Sequence, residues 1–239
     1  MRFDLQNVLC QMMRKRKLKD IFRRFGFLKA SLYIFIAFIQ NFCFLRIYLL
    51  LKYEGQILSR ISNQKITDVE IKMAPICLSI RSLNKSEQEF LSNQPEYDIE
   101  KRFLKKRQIY NDVCIGVCAP DKVLAYGWFS QNWTEIDNQF HIKTGHGTIY
   151  VYKVFTLPEF RGKHLITLLL PEFSKTSEQQ FNYLALVEIQ NFSSLRGFTY
   201  AKFKPLGWIL LFAKGKKRFI WTNSKIRNLG LRFSLTPPD

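Results

Sequence analysis

The stretch that most constrains this chain is GTIYVYKVFTLPEFRGKHLITLLL, residues 147–170. Gly147–Leu157 is dense in β-branched and aromatic residues and reads as a strand. Pro158 removes a backbone donor and ends the ladder. The apolar run Leu165, Ile166, Leu168, Leu169 then suits a buried helix, opening at about Gly162. The Arg161-Gly162-Lys163 turn therefore falls at a helix start, where unpaired N–H groups carry partial positive charge. Two cationic side chains beside such an end favour a phosphate-bearing ligand.

Net charge supports a charged partner, but its distribution says more than its total of +18. Residues 1–60 hold 12 Lys/Arg against 3 Asp/Glu, residues 61–188 hold 15 against 15, and residues 189–239 hold 10 against 1. The excess sits at the two ends of a neutral middle. Nucleic acid, an anionic membrane and a phosphate-rich ligand all suit a basic excess. At the N-terminal end, Arg14-Lys15-Arg16-Lys17, Lys19, Arg23 and Arg24 lead into the mostly apolar Phe27–Leu51. A polybasic run beside an apolar helix reads as attraction to anionic lipid; a solvated basic arm is the other reading. Hydrophobic residues make up 47% of the chain and Phe alone 22 positions, enough for a sizeable core, so global disorder is excluded.

Ala30–Leu45 is the longest uncharged stretch in this region, and its 16 residues reach about 24 Å as a helix, short of a hydrocarbon core about 30 Å thick. A single crossing would also send residues 60–239 outside by the positive-inside rule. A helix lying in the interface, or a shallow re-entrant hairpin, avoids both objections. A helix packed on the globular part is the alternative. No small-residue cleavage site follows, so a removable signal peptide is not expected. Five cysteines form no CxxC pair, and three histidines give no zinc spacing, so no metal is expected. Cys114 and Cys118 share one face of a strand but stand too far apart along it to bridge, which suits a reducing compartment.

Residues 1–60 thus read as a basic and apolar helical segment, and residues 66–235 as the folded domain, with polar Ser59–Asp68 near the boundary. Ile71–Ile80 reads as a strand interrupted by Pro75, and Lys85–Ser92 and Asp98–Ile109 as short helices. Asp112–Ala119 and Val123–Ser130 form a hairpin around Pro120-Asp121-Lys122. Trp133–Thr144 reads as irregular, with a strand as the other reading. After the Gly147–Leu157 strand and its helix comes a buried strand, Tyr183–Gln190. A turn and cap at Asn191-Phe192-Ser193-Ser194 then opens a helix to about Phe203. Leu206–Ala213 and Arg218–Thr222 are the last strands. Without the irregular segment the order is β-α-α-β-β-β-α-β-α-β-β.

That order, with two local motifs, resembles the GNAT N-acetyltransferase superfamily across roughly residues 70–222. VFTLPEFRGKHL looks like the family's acyl-CoA segment, a splayed strand before a phosphate-binding turn. Asn191-x-x-Ser194-x-x-x-Phe198, followed by Gly207-Trp208, resembles its N-x-x-[SA]-x-x-x-[YF] run before a Gly-aromatic pair. The resemblance implies an α/β (α+β) fold: a mixed, mostly antiparallel central sheet flanked by helices, here with the basic and apolar N-terminal extension. It implies a gap between the strands bearing Val154 and Glu188. The pantetheine arm of acetyl-CoA would lie there as an extra strand. Phe155, Thr156 and Leu157 would bond it, the turn Arg161, Gly162, Lys163, His164, Leu165 and Ile166 would hold its pyrophosphate, and Asn191 would border it. The family's turn is [QR]-x-x-G-x-[GA]; Arg161 matches, whereas His164 replaces the glycine and Ile166 the last small residue. His164 either donates a hydrogen bond to phosphate or packs at the helix start.

Acetyl transfer to an amine needs a neutral amine, a polarised carbonyl and a proton for the leaving thiolate. Glu188 is the best-placed carboxylate in this half of the chain, since no acid follows it before Asp239. It reads as a general base working through water, or else as a structural partner of nearby cations. Phe198 stands where the family often has a proton-donating Tyr; Tyr200 is a poor substitute, two residues on, and water remains as a donor. His141 and His146 precede the cofactor strand and are candidates for an acceptor pocket. The expected protein is a cytoplasmic N-acetyltransferase, peripheral on the cytosolic face of an anionic membrane, using acetyl-CoA and an unidentified amine acceptor: an amino sugar, a small metabolite or a protein. A non-catalytic acyl-CoA-binding module of the same fold is the alternative. A nucleic-acid-binding protein is disfavoured, because no reading helix or aromatic–basic platform is evident.

Overall fold

The structure is a computed structural model, and it describes residues 45–55, 78–137, 140–175, 181–214 and 217–234. Strand β1 is Leu45–Tyr53 and β2 is Ser79–Ser82. Helices α1, Lys85–Ser92, and α2, Lys101–Tyr110, follow. Next come β3, Val113–Cys118; β4, Val123–Ser130; β5, Trp133–Asp137; β6, Phe140–Lys143; and β7, Thr148–Thr156. Helix α3 is Leu169–Lys175, β8 is Asn182–Glu188 and α4 is Phe192–Tyr200. The chain closes with β9, Phe203–Lys214; β10, Lys217–Thr222; α5, Ser224–Arg227; and β11, Arg232–Ser234.

Eight strands form one sheet in the order β10-β9-β1-β8-β7-β4-β3-β2, and a second sheet runs β11-β6-β5. The pairs β1–β8, β2–β3, β3–β4 and β4–β7 are antiparallel, and β7–β8 is parallel. Alternation along each strand feeds a separate core on each face of the large sheet. Ile115, Val117, Phe129, Val151, Tyr183, Ala185 and Val187 pack with Leu169, Leu170 and Phe173 of α3 and Phe198 of α4. On the other face Cys114, Cys118, Tyr126 and Trp128 pack with Leu91 of α1 and Leu104 of α2. The expected mixed, mostly antiparallel sheet flanked by helices is therefore the fold observed. Asn84 starts α1 with a reciprocal capping box, its side chain accepting from the Glu87 N–H while the Glu87 carboxylate accepts from the Asn84 N–H.

The chain divides into two units. One is Met1–Arg46 with Leu211–Phe219; its described residues are the start of β1 and the adjoining ends of β9 and β10. The other, Ile47–Leu210 with Ile220–Asp239, holds all the remaining elements.

Three expectations are corrected. Residues 45–51, read as the end of an apolar helix, belong to β1, where Tyr48 to Lys52 pair with Glu188 to Leu184. An uninterrupted run such as Ile47-Tyr48-Leu49-Leu50-Leu51 fits a strand covered on both faces as well as a helix, and periodicity alone does not separate the two. Trp133–Thr144 is the β5–β6 hairpin, bonded to β11 from the end of the chain. Its buried positions include Thr134, His141 and Thr144, so hydropathy gave little strand signal. The helix expected from Gly162 begins as a 3₁₀ turn, Leu165–Leu168, and turns α-helical only at Leu169. Residues 71–77 and the Ala30–Phe44 part of the apolar stretch lie outside the described residues. Among the described residues no helix is long and apolar enough to cross a membrane.

Candidate functional site

β7 and β8 start side by side and then part. Thr148, Ile149 and Tyr150 stand opposite Asn182, Tyr183 and Leu184, and the pairing stops there, although β7 continues to Thr156 and β8 to Glu188. Between Tyr126 and Trp128 the β4–β7 register slips, so that Lys153 and Val154 together oppose Gly127. This is a β-bulge, which bends the bulged strand and increases its twist. Lys153 takes φ 45°, a left-handed conformation uncommon outside glycine. Its ammonium is tied to Asp98 at 2.7 Å. Gly127 serves the same place, since a Cβ there would come 3.0 Å from Leu169 Cδ1 and 3.4 Å from Val154 Cγ2.

Beyond the bulge the backbone of β7 alternates between its two neighbours. Leu157 donates its N–H to the Leu124 carbonyl at 2.9 Å, so it faces β4 and does not offer that donor to a ligand. By the alternation of an antiparallel ladder, Thr156 and Val154 turn their N–H and C=O groups towards the side from which β8 has departed. Phe155 faces β4, its ring stacked on that of Tyr126 at 5.4 Å. The Thr156 carbonyl already accepts from Arg161 Nε at 3.3 Å.

A 3₁₀ turn, Pro158–Phe160, then leads into the basic loop. Arg161, Gly162, Lys163 and His164 are all exposed, whereas Leu165 is buried and Ile166 half-buried. Gly162 has φ 81° and His164 φ 57°. The position at which the resembled turn carries glycine is thus left-handed here, and an imidazole occupies it. The His164 carbonyl accepts from both the N–H and the hydroxyl of Thr167. A 3₁₀ turn leaves its first N–H groups, those of Leu165 and Ile166, without partners inside the turn. The seven-residue α3 behind it carries little macrodipole, so anion attraction at this loop comes from N–H groups and side chains.

The loop is joined to α4. The His164 ring centroid lies 4.1 Å from that of Tyr200, and the Arg196 guanidinium lies over the same Tyr200 ring at 5.8 Å. Arg196, Thr199, Tyr200 and Lys202 line a shallow open hollow of about 270 Å³. Phe198 points the other way, 5% exposed and packed edge-on against Phe203 at 4.9 Å. Asn191 caps α4, its side chain accepting from the Ser194 N–H, and its own N–H bonds the Glu188 carbonyl at 2.8 Å. Glu188 ends β8, half-buried and opposite Tyr48 of β1. Gly207 lies where a Cβ would come 2.4 Å from Asn223 Oδ1. His141 is buried in β6, and His146 is exposed in the turn before β7.

Sequence reading missed a buried charged cluster beside the point of parting. Tyr152 donates to Asp112 Oδ2 at 2.6 Å, and Arg107 Nη1 lies 3.2 Å from that oxygen and from the Tyr152 hydroxyl. The Arg107 and Asp112 side chains are 1% and 0% exposed. Glu135, bonded to Lys106, approaches Arg107 Nη2 at 4.0 Å. Burial raises the Asp112 carboxyl above the usual carboxylate range, against the pull of its hydrogen bonds. Burial and then Asp112 push the Tyr152 phenol well up. The cluster fastens α2 and the following turn to β7, two residues past the last β7–β8 pair. In the sequence Asp112 simply opens the expected Asp112–Ala119 strand after a basic helix, and nothing in that spacing marks a buried cluster.

No protein-family model matches the chain, and no curated protein matches it in sequence. Among solved structures, a protein assigned to the GNAT family from Novosphingobium aromaticivorans is 14% identical over 70% of this chain, with a TM-score of 0.46. The match covers 63% of that protein, so the chain spans less than two thirds of its length. The aminoglycoside N-acetyltransferase AAC(6')-Iy in complex with CoA is 13% identical, over 55% of this chain and 92% of that one, with a TM-score of 0.42. A functionally unknown conserved protein from Staphylococcus epidermidis is 9% identical over 74% of this chain and 65% of that one, with a TM-score of 0.46. Likenesses this loose do not by themselves place the chain in the family.

Proposed function

We propose that the chain is an acetyl-CoA-dependent N-acetyltransferase that receives the acyl arm between β7 and β8. The observation that carries this reading is the β7–β8 pairing, which ends at Tyr150 and Leu184 while β7 runs on into an exposed cationic loop. Backbone groups of Val154 and Thr156 suit an extended arm added as a strand. Arg161, Lys163 and the N–H groups of Leu165 and Ile166 suit a pyrophosphate. Acetyl-CoA would supply the activated acetyl thioester. Glu188 serves as the base that takes the proton of the acceptor amine through water, and water returns a proton to the leaving thiolate, since Phe198 has none to give. The acceptor is a primary amine on an amino sugar, a small metabolite or a protein. The part of residues 1–60 that precedes β1 is read as the attachment to the cytosolic face of an anionic membrane.

The second reading is a non-catalytic acyl-CoA-binding module. It is favoured by the buried Phe198 and by Arg161 lying on the Thr156 carbonyl. Calorimetric titration with acetyl-CoA, followed by turnover against a panel of amines, separates the two. Binding with turnover supports the enzyme, binding without turnover supports the module, and no binding removes both.

A further inference from the structure

Around its bulge, β7 is gripped at three places by α2 and the turns on either side of that helix. Before the bulge, the Tyr152 hydroxyl donates to Asp112 Oδ2 at 2.6 Å, with Arg107 Nη1 3.2 Å from the same hydroxyl. Within it, Lys153 Nζ meets Asp98 Oδ2 at 2.7 Å. After it, the Phe155 ring packs against Tyr97 at 6.2 Å and Tyr126 at 5.4 Å, and the Tyr126 hydroxyl donates to the Tyr97 carbonyl at 2.6 Å. Tyr97 closes a 3₁₀ turn, Pro95–Tyr97, and Asp98 follows it at φ 54°. The Lys153–Asp98 ion pair therefore joins two left-handed residues, neither of them glycine. Such conformations persist only where their surroundings impose them.

The bulge decides what β7 presents to the opening beside β8. A ladder without it would pair Ala125 with Phe155 in place of Thr156, a slip of one residue. Every backbone group beyond that point would then change sides. Phe155 would turn its N–H and C=O to the opening, and Val154 and Thr156 would turn theirs to β4. A buried ion pair such as Arg107–Asp112, 1% and 0% exposed, seldom repays the desolvation of its charges against apolar side chains of the same volume. Fixing register is the best-attested use of such groups. We infer that Tyr152 and Lys153, gripped by Asp112 and Asp98, are positioning residues that lock the bulge and so select Val154 and Thr156 as the backbone offered to a ligand. Only the identity of that ligand rests on the acyl-CoA reading.

Residue-resolved hydrogen exchange on the full chain, with and without acetyl-CoA, tests this, alongside calorimetric titration. In the unliganded wild type the Phe155 and Leu157 amides should be protected, and those of Val154 and Thr156 should exchange readily. Tyr152→Phe removes the hydroxyl and Lys153→Met the charge, each with little change of volume. Each should level this alternation as the slipped register becomes populated, and weaken acetyl-CoA binding about tenfold, the equivalent of one hydrogen bond to a charged group. Lys153→Gly loses the same charge but takes φ 45° freely, so it should keep the wild-type alternation and bind acetyl-CoA more tightly than Lys153→Met. Should Tyr152→Phe lack a cooperative melt, the half-exposed Lys153 variants decide alone. An unchanged alternation in every folded Phe and Met variant overturns the inference. So does an equal loss of affinity in Lys153→Met and Lys153→Gly with the alternation intact, since Lys153 then acts on the ligand by charge. A wild type that binds no acetyl-CoA removes the acyl-CoA reading instead, and the unliganded exchange pattern of the variants still decides whether the bulge is locked in this way.

Discussion

The imidazole of His164 and the phenol ring of Tyr200 lie with their centroids 4.1 Å apart and their planes at 38°. This contact joins the basic loop after β7 to α4 after β8. His164 holds it at φ 57°, in the conformation that L side chains take at a cost.

His164→Gly and His164→Ala should therefore behave differently. Both lose the ring contact, but only Ala keeps the left-handed penalty, so it should be about 1 kcal/mol less stable than the Gly variant. Denaturant melts check this. Equal stabilities would show that the loop relaxes out of the observed conformation. The Gly variant should also bind acetyl-CoA more tightly than wild type if the imidazole obstructs phosphate, and less tightly if it donates to it.

Arg161 has two jobs in this geometry. Its Nε covers the Thr156 carbonyl, and its charge faces the solvent at the loop. Arg161→Ala should weaken acetyl-CoA binding by about 1–3 kcal/mol, the range for a charge-assisted hydrogen bond. Calorimetry on the folded variant measures it, and an unchanged dissociation constant would move the phosphates elsewhere.

Glu188→Gln should lower turnover by about 10²–10⁴-fold while leaving acetyl-CoA affinity nearly constant. Full activity across the pH range in that variant makes Glu188 a structural residue at the end of β8.

Asp112 predicts a pH signature of stability. Its folded carboxyl is raised by burial, so its favourable contribution is complete below the ordinary carboxylate value of about 3.9. That contribution is lost as pH rises through the raised folded value. Asp112→Asn mimics the protonated group and lacks this loss. The melting temperature of the wild type should therefore fall relative to the variant as pH increases across that window. A variant that instead falls behind the wild type would mean that Arg107 stabilises the carboxylate more than burial opposes it.

Truncation separates the two readings of the N-terminal part. Removal of residues 1–44 leaves β1 in place and should give a folded domain that binds acetyl-CoA. Removal of residues 1–60 takes away Tyr48 to Lys52, which pair with β8, and should leave a chain without a cooperative melt. Cooperative unfolding of the shorter form would show that β8 and β9 close without β1.

The parts of the fold that were legible are those whose pattern is local. The expected bounds of Val123–Ser130 and Lys85–Ser92 are the observed ones, and the Pro120-Asp121-Lys122 turn bounds the first of them locally. The expected Tyr183–Gln190 differs from β8 by no more than two residues at either end, because its apolar run is itself local. β1 was not legible, since its partners lie far along the chain and nothing within Ile47–Leu51 distinguishes a covered strand from a helix. The sequence locates the basic loop but not the 3₁₀ form of its first turn, because apolar spacing does not report 3₁₀ geometry. The Arg107–Asp112–Tyr152 cluster is assembled from three elements, and no spacing in sequence brings those residues together.

The position of β1 has a consequence for how this chain is made. Its strand partner β8 lies some 130 residues downstream, and β9, its other neighbour, is further still. During synthesis Ile47–Leu51 leaves the ribosome well before β8 and β9, apolar on both faces, and waits for those strands before it is covered. Contacts this distant in sequence form slowly, and an uncovered strand invites wrong partners while it waits. Production of this protein should therefore depend on what shelters that strand at birth, more than on the stability of the finished sheet.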